Sequence, residues 1–277
     1  MWIRDIELLR WVGANSFRTS HYPYAEEVMD LADRLGVLVI NEIPAVGLDF
    51  EDSAELTEQR LSQCLQQLRE LIERDKNHPS TIMWNVANEP MAGMPLGVAD
   101  PAQEAVEAGT RFFTRMYQEA HRLDSTRPVT LVGVQGGPHD WHGIFDVVCV
   151  NRYYGWYTQS GRLEEGRETL AQELDSLYRK FGKPIMITEF GADAIAGTHA
   201  HPSEMWSEEY QAEFILGFLD VAAERSFMAG MHVWAFADFK TGQGVNRATG
   251  LNHKGVFTRD RRPKLAAHLL RDRWRST

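Results

Sequence analysis

Two apolar runs end abruptly in an acid: "WNVANEP" (84–90), where Asn88 and Glu89 precede Pro90, and "PIMITEFG" (184–191), where Glu189 closes a β-branched stretch. One acid in such a place reads equally well as a helix cap or half of an ion pair. Two acids on separate runs are harder to dismiss, because burying a carboxylate costs several kcal/mol unless it is paired or used. Two carboxylates with unlike surroundings suit glycoside cleavage. One is held protonated to release the leaving oxygen, and the other is ionised to attack the anomeric carbon or to activate water. Environment assigns those roles, a drier site raising one pKa while hydrogen-bond donors hold the other low.

Both acids need elements to carry them. Short runs rich in Val, Ile and aromatics recur at 14–19, 37–43, 81–88, 128–134, 147–153, 184–190 and 231–237. Amphipathic segments lie between them, with Val28, Leu31 and Leu35, then Leu61, Leu65, Leu68 and Ile72, at helical spacing. Strands alternating with helices predict an α/β fold with a parallel sheet, and strands apolar on both faces fit a (β/α)8 TIM barrel. The chain opens on a helix ("IRDIELLRWVGA") and closes on another ("PKLAAHLLRDRW"), so the pattern supplies seven strands, with the first barrel strand missing from this chain. There is no internal repeat and no linker, which predicts one catalytic domain over residues 1–277.

Composition removes several classes of function. A formal net charge of -10 argues against a nucleic-acid partner, which is held through clustered Lys and Arg. No apolar stretch approaches the roughly 20 residues of a membrane span, so no membrane partner is expected. Two cysteines, Cys64 and Cys149, each inside an apolar pattern, read as buried thiols and predict a reducing, cytoplasmic setting. "HDWH" (139–142) and "THAHP" (198–202) lack the further ligands of a metal site, and "GQG" (242–244) lacks the third glycine of a dinucleotide fingerprint. Neither a metal nor another cofactor is expected.

"NHPSTIMWNVANEP" (77–90) and "KPIMITEFGAD" (183–193) resemble the acid/base and nucleophile motifs of family 2 glycoside hydrolases. "GANSFRTSHYPYAEEVMDLAD" (13–33), "NRYYGWY" (151–157), "MWSEEYQ" (205–211), "VWAFADF" (233–239) and "KGVFTRDRRPK" (254–264) are similar to the β-glucuronidases of that family. The resemblance implies a retaining hydrolase of terminal β-D-glucuronides, with Glu89 as general acid/base and Glu189 as nucleophile. It further implies that Asn88 hydrogen-bonds the sugar 2-hydroxyl and Tyr153 orients the nucleophile. Tyr157, Trp234 and His21 would line the sugar subsite beside Asn151, and Arg18 would fix the carboxylate network. Asn252 and Lys254 match an Asn-x-Lys pair that grips the C6 carboxylate, and Arg247 would add charge nearby. A site built to pair a carboxylate rejects a neutral sugar that leaves its groups unpaired.

Other readings stand beside these. "NHKG" alone is an ordinary polar turn, Trp234 could be a core aromatic, and Arg18 could simply be the ion-pair partner of Glu42. A family 2 hydrolase of another specificity, for β-galactosides or β-galacturonides, fits the same acid pair, as does a non-catalytic sugar-binding remnant. The family's β-sandwich domains ahead of the barrel have no counterpart in this chain. The sequence does not fix the oligomeric state and leaves a homo-oligomer open.

Overall fold

The computed structural model describes residues 1–93 and 103–276. In chain order the elements are α1 (Trp2–Val12), β1 (Ser16–Arg18), α2 (Glu26–Leu35), β2 (Leu38–Glu42), α3 (Ala54–Asp75), β3 (Thr81–Asn88), α4 (Gln103–Leu123), β4 (Val129–Gly133) and β5 (Val148–Asn151). There follow α5 (Leu163–Phe181), β6 (Ile185–Phe190), α6 (Glu208–Ala223), β7 (Met228–Val233), β8 (Phe239–Lys240), β9 (Leu251–Asn252) and α7 (Leu265–Arg275). One seven-stranded sheet runs in the order β1-β2-β3-β4-β5-β6-β7, and β8 pairs antiparallel with β9. Sequential strand order with intervening helices is the (β/α) barrel pattern, and among the described residues it is one strand short of eight.

Contacts group the chain into two compact units. The first in the chain's central part comprises Ser16–Asn151 and Phe181–Met186. Its strands pair in parallel, β1 with β2, β2 with β3, β3 with β4 and β4 with β5. The leucine stripe of α3 does what its spacing predicts: Leu61, Leu65, Leu68 and Ile72 are buried against Trp84, Val86 and the aromatic face of α4. Ser53 caps α3, its hydroxyl accepting from the Leu56 N–H at 3.3 Å. Phe50, Phe112, Phe113 and Trp141 then meet edge-to-face at 5.1 to 5.4 Å between ring centres. Gly109 is needed there, because a Cβ on it would lie 2.2 Å from the Trp141 ring.

The other unit comprises Met1–Asn15, Arg152–Lys180 and the chain from Ile187 onward. It holds α1, α5, α6, α7 and most of β6, packed around Phe190, Phe214, Phe218 and Phe257. The predicted strand at 231–237 is displaced, since β7 covers Met228–Val233. Beyond Val233 the backbone turns to new partners, Ala235 N–H donating to Lys254 O at 3.0 Å and Val256 N–H to Ala235 O at 2.9 Å. The run at 14–19 shortens to Ser16–Arg18 for a similar reason, as Ala14 N–H is drawn to Leu9 O at the end of α1. Among the described residues no helix is long and apolar enough to cross a membrane.

Candidate active site

In the central unit the polar residues gather where the strands end. Arg18 closes β1, Glu42 closes β2, Asn88 closes β3 and Asn151 closes β5; all four are buried. Arg18 Nη1 donates to Glu42 Oε2 at 2.6 Å, and Asn85 Nδ2 donates to the same oxygen at 2.5 Å. His21 Nδ1 lies 2.9 Å from Glu42 Oε1. Burial alone would raise the Glu42 carboxyl, but the Arg18 charge and His21 hold it below the usual carboxylate range. A second row keeps Glu42 in place: its N–H donates to Thr19 Oγ1 at 3.0 Å, and that hydroxyl donates to Asn41 Oδ1 at 3.1 Å. Arg18 is therefore the ion-pair partner of a core acid and also a fixed part of the polar cluster.

Asn88 and Glu89 sit on this platform. Asn88 Oδ1 accepts from Arg18 Nη1 at 3.3 Å and from Asn151 Nδ2 at 3.2 Å, so its amide nitrogen is turned away as a donor. Asn151 Nδ2 also donates to Glu89 Oε1 at 2.9 Å. The register of β3 against β4 shifts between Asn85 and Asn88, a bulge that re-aims the strand's last residues. Glu89 itself has φ +52°, a left-handed conformation that costs a non-glycine residue about 1–3 kcal/mol and concentrates at functional positions.

In the other unit Glu189 lies near the end of β6, 5% exposed, and Tyr153 donates its hydroxyl to Glu189 Oε2 at 2.8 Å. The Tyr153 and Tyr157 rings meet edge-on at 5.1 Å. Trp234 approaches the strand closely: its N–H donates to Phe190 O at 2.8 Å, and a Cβ on Gly191 would come within 2.3 Å of its carbonyl oxygen. The residue is only partly buried, and its ring stands edge-on to Phe239 at 5.8 Å.

Asn252, Lys254, Tyr157 and Arg247 come together in this unit. Lys254 is 0% exposed, ion-paired with Asp193, and its Nζ donates to the Tyr157 hydroxyl at 3.0 Å. Arg247 reaches the same hydroxyl, both terminal nitrogens at 3.4 Å. Asn252 Oδ1 accepts from the Lys254 N–H at 3.0 Å, which leaves the amide nitrogen as its remaining side-chain polar group. "NHKG" is thus no solvated turn. Lys264 Nζ pins it from beneath, donating to His253 O at 2.9 Å, Ala194 O at 2.7 Å and Asp238 Oδ1 at 2.8 Å. Burial pushes the Asp238 carboxyl up and the Lys264 ammonium down, each against the pull of the other's charge. Gly255 permits the approach, since a Cβ there would fall 2.1 Å from Asp238 N.

Asn85, Asp193 and Lys264 are the residues that sequence reasoning missed. Asp193 closes the quoted "EFGAD" motif, and an acid four residues beyond Glu189 in an apolar stretch was the available signal. Among the described residues no cluster of three or more His, Cys, Asp or Glu is arranged to hold a metal.

The chain matches the family described as "Glycosyl hydrolases family 2, TIM barrel domain" over residues 1–277. It is 48% identical over 282 aligned residues to a β-glucuronidase of Paenibacillus borealis, covering 98% of this chain and 45% of that protein. A solved β-glucuronidase from an uncultured Clostridium species superposes with a TM-score of 0.90 at 44% identity, covering 100% of this chain and 47% of the other. A third, the Bifidobacterium dentium β-glucuronidase solved with coumarin-3-O-glucuronide, gives a TM-score of 0.89 at 41% identity, over 99% and 43% of the two chains. The chain therefore spans less than half the length of the relatives it matches.

Proposed function

Since the chain belongs to glycosyl hydrolase family 2, matching its TIM-barrel domain throughout, we propose that it hydrolyses terminal β-D-glucuronides with retention of configuration. Glu89 is the general acid/base and Glu189 the nucleophile. Glu89 first protonates the leaving oxygen while Glu189 attacks the anomeric carbon; Glu89 then takes a proton from the water that releases the sugar. Asn88 offers its amide nitrogen to the sugar 2-hydroxyl, and Tyr153 holds one oxygen of Glu189 so that the other faces the substrate. His21, Asn151 and Trp234 shape the sugar subsite, while Arg18 fixes the polar cluster through Glu42. Asn252, Lys254, Tyr157 and Arg247 receive the C6 carboxylate. Residues 1–277 act as one catalytic domain in this reading, and the two buried free cysteines accord with a cytoplasmic setting.

The observation that carries the proposal is the buried Lys254 ammonium, donating to the Tyr157 hydroxyl within the same unit as Glu189. An acidic protein that takes an anionic sugar needs such a fixed cation, and the relatives named above are β-glucuronidases. The test is chromophore release from aryl β-D-glucuronides by the purified chain. Glu189→Gln should abolish turnover. Glu89→Gln should lower kcat/KM for poor leaving groups far more than for good ones, because in the first step only the former depend on proton donation. Turnover that survives Glu189→Gln would refute the assignment.

A further inference from the structure

Asp193 has no part in the chemistry described so far, yet it is wholly buried. Its Oδ2 accepts from Lys254 Nζ, both side chains being 0% exposed, and its Oδ1 accepts from the His253 N–H at 2.7 Å. One carboxylate thus holds an ammonium and the peptide beside it. The next peptide is held as well, His253 O accepting from Ala194 N–H at 3.0 Å and from Lys264 Nζ at 2.9 Å.

An ammonium carries three N–H donors. One points to Asp193 and a second to the Tyr157 hydroxyl, while the rings of Tyr153, Trp156 and Tyr157 stand 5.8, 5.2 and 4.7 Å from Nζ. The charge of Lys254 is therefore compensated before any ligand arrives. A neutral sugar would not strand it, since an ion pair already satisfies it. Preference for an anionic sugar then depends on where the ammonium is held, and its position is set by Asp193. An asparagine at 193 could still accept from His253 N–H through its carbonyl oxygen, but its NH2 would face the ammonium donor to donor.

We propose that Asp193 is a positioning residue for substrate choice: it fixes the Lys254 ammonium where a sugar carboxylate can use it, and so sets the preference for anionic over neutral sugars. This rests on the glucuronide reading above. The probes are D-glucaro-δ-lactam, which is anionic, and D-glucono-δ-lactam, its neutral counterpart, titrated calorimetrically into the full chain. In Asp193→Asn the preference for the anionic lactam should fall about tenfold or more, and KM for an aryl glucuronide should rise by a similar factor with kcat changed far less. In a Lys254→Met background, adding Asp193→Asn should alter the preference by less than about twofold, because Asp193 acts through Lys254. That double variant carries neither buried charge, so where Asp193→Asn alone fails to fold, a double variant that folds and still prefers the anionic lactam as the native chain does would overturn the proposal. Equal weakening of both lactams, an unchanged preference, or a full effect of Asp193→Asn without Lys254 would each overturn the proposal. A native chain with no preference for the anionic lactam would remove the glucuronide reading and this inference with it, whereas a native preference that survives Asp193→Asn removes this inference alone.

Discussion

Replacing Arg18 by Met tests whether the strand-end cluster of the central unit is held by charge. Glu42 is 1% exposed and takes hydrogen bonds from Arg18, Asn85 and His21. Breaking a buried ion pair by removing one partner costs about 3–5 kcal/mol. Two of the three partners survive here, which places the loss at the lower end, about 3 kcal/mol. For a chain of this length that lowers Tm by about 6 °C at pH 7, taking about 2 °C per kcal/mol. The sign with pH follows from the native carboxyl, which is held below its ordinary value. In the native protein Glu42 contributes stability above the unfolded carboxylate pKa of about 4.3, and that contribution is lost as pH falls through the depressed folded value. Without Arg18, burial dominates and the carboxyl rises above its unfolded value, so the variant loses stability as pH climbs toward neutrality. The gap in Tm between native and variant should therefore narrow as pH falls from 7 toward about 4.5. Calorimetry across that range, with Arg18→Met/Glu42→Gln as a neutral control that recovers most of the loss, measures it. A gap that stays constant with pH would show that Arg18 acts through packing and that the electrostatic account is wrong.

Tyr153→Phe removes the hydroxyl that donates to Glu189 Oε2, and a hydrogen bond to a charged group is worth about 1.5–3 kcal/mol. Single-turnover rates on an aryl glucuronide should fall by about 10- to 150-fold with melting nearly unchanged. Lys264→Met strands Asp238 and takes one donor from each of the Ala194 and His253 carbonyls, so denaturant unfolding should show a loss of about 3–5 kcal/mol. Burial pushes the thiols of Cys64 and Cys149 up to about 11 and about 12. At pH 8 both should stay inert to a thiol-reactive disulfide in the folded chain and react within seconds in denaturant; prompt labelling of the folded chain would contradict their burial.

The sequence pattern made the elements legible because each strand is apolar on both faces and each helix on one, so periodicity alone separates them. It read β3 and β6 to within a residue, since Thr81–Asn88 and Ile185–Phe190 are long and uninterrupted. It failed at β7, where "MHVWAFA" looks like one strand, yet its second half pairs with residues 254–256, a partner chosen by tertiary structure. The same division holds among the polar residues of each unit. Glu89 and Glu189 announce themselves, because an acid at the end of an apolar run conflicts with its surroundings. Asn85 and Lys264 do not: Asn85 lies inside a strand, and Lys264 precedes a helix where lysine is unremarkable.

Asp193 belongs to neither group. Lys254 looks like a solvated turn lysine until Asp193 is seen to bury it, and Asp193 looks like a loop acid until Lys254 is seen to occupy it. Each is ordinary alone, and 61 residues separate them in sequence. A charge whose only justification is a distant opposite charge carries no local signature, because propensity and periodicity describe neighbours in the chain. Glu89 and Glu189 are therefore candidates that motifs alone can nominate, whereas the acid proposed to hold the Lys254 cation toward the substrate had to be read from burial and hydrogen bonds.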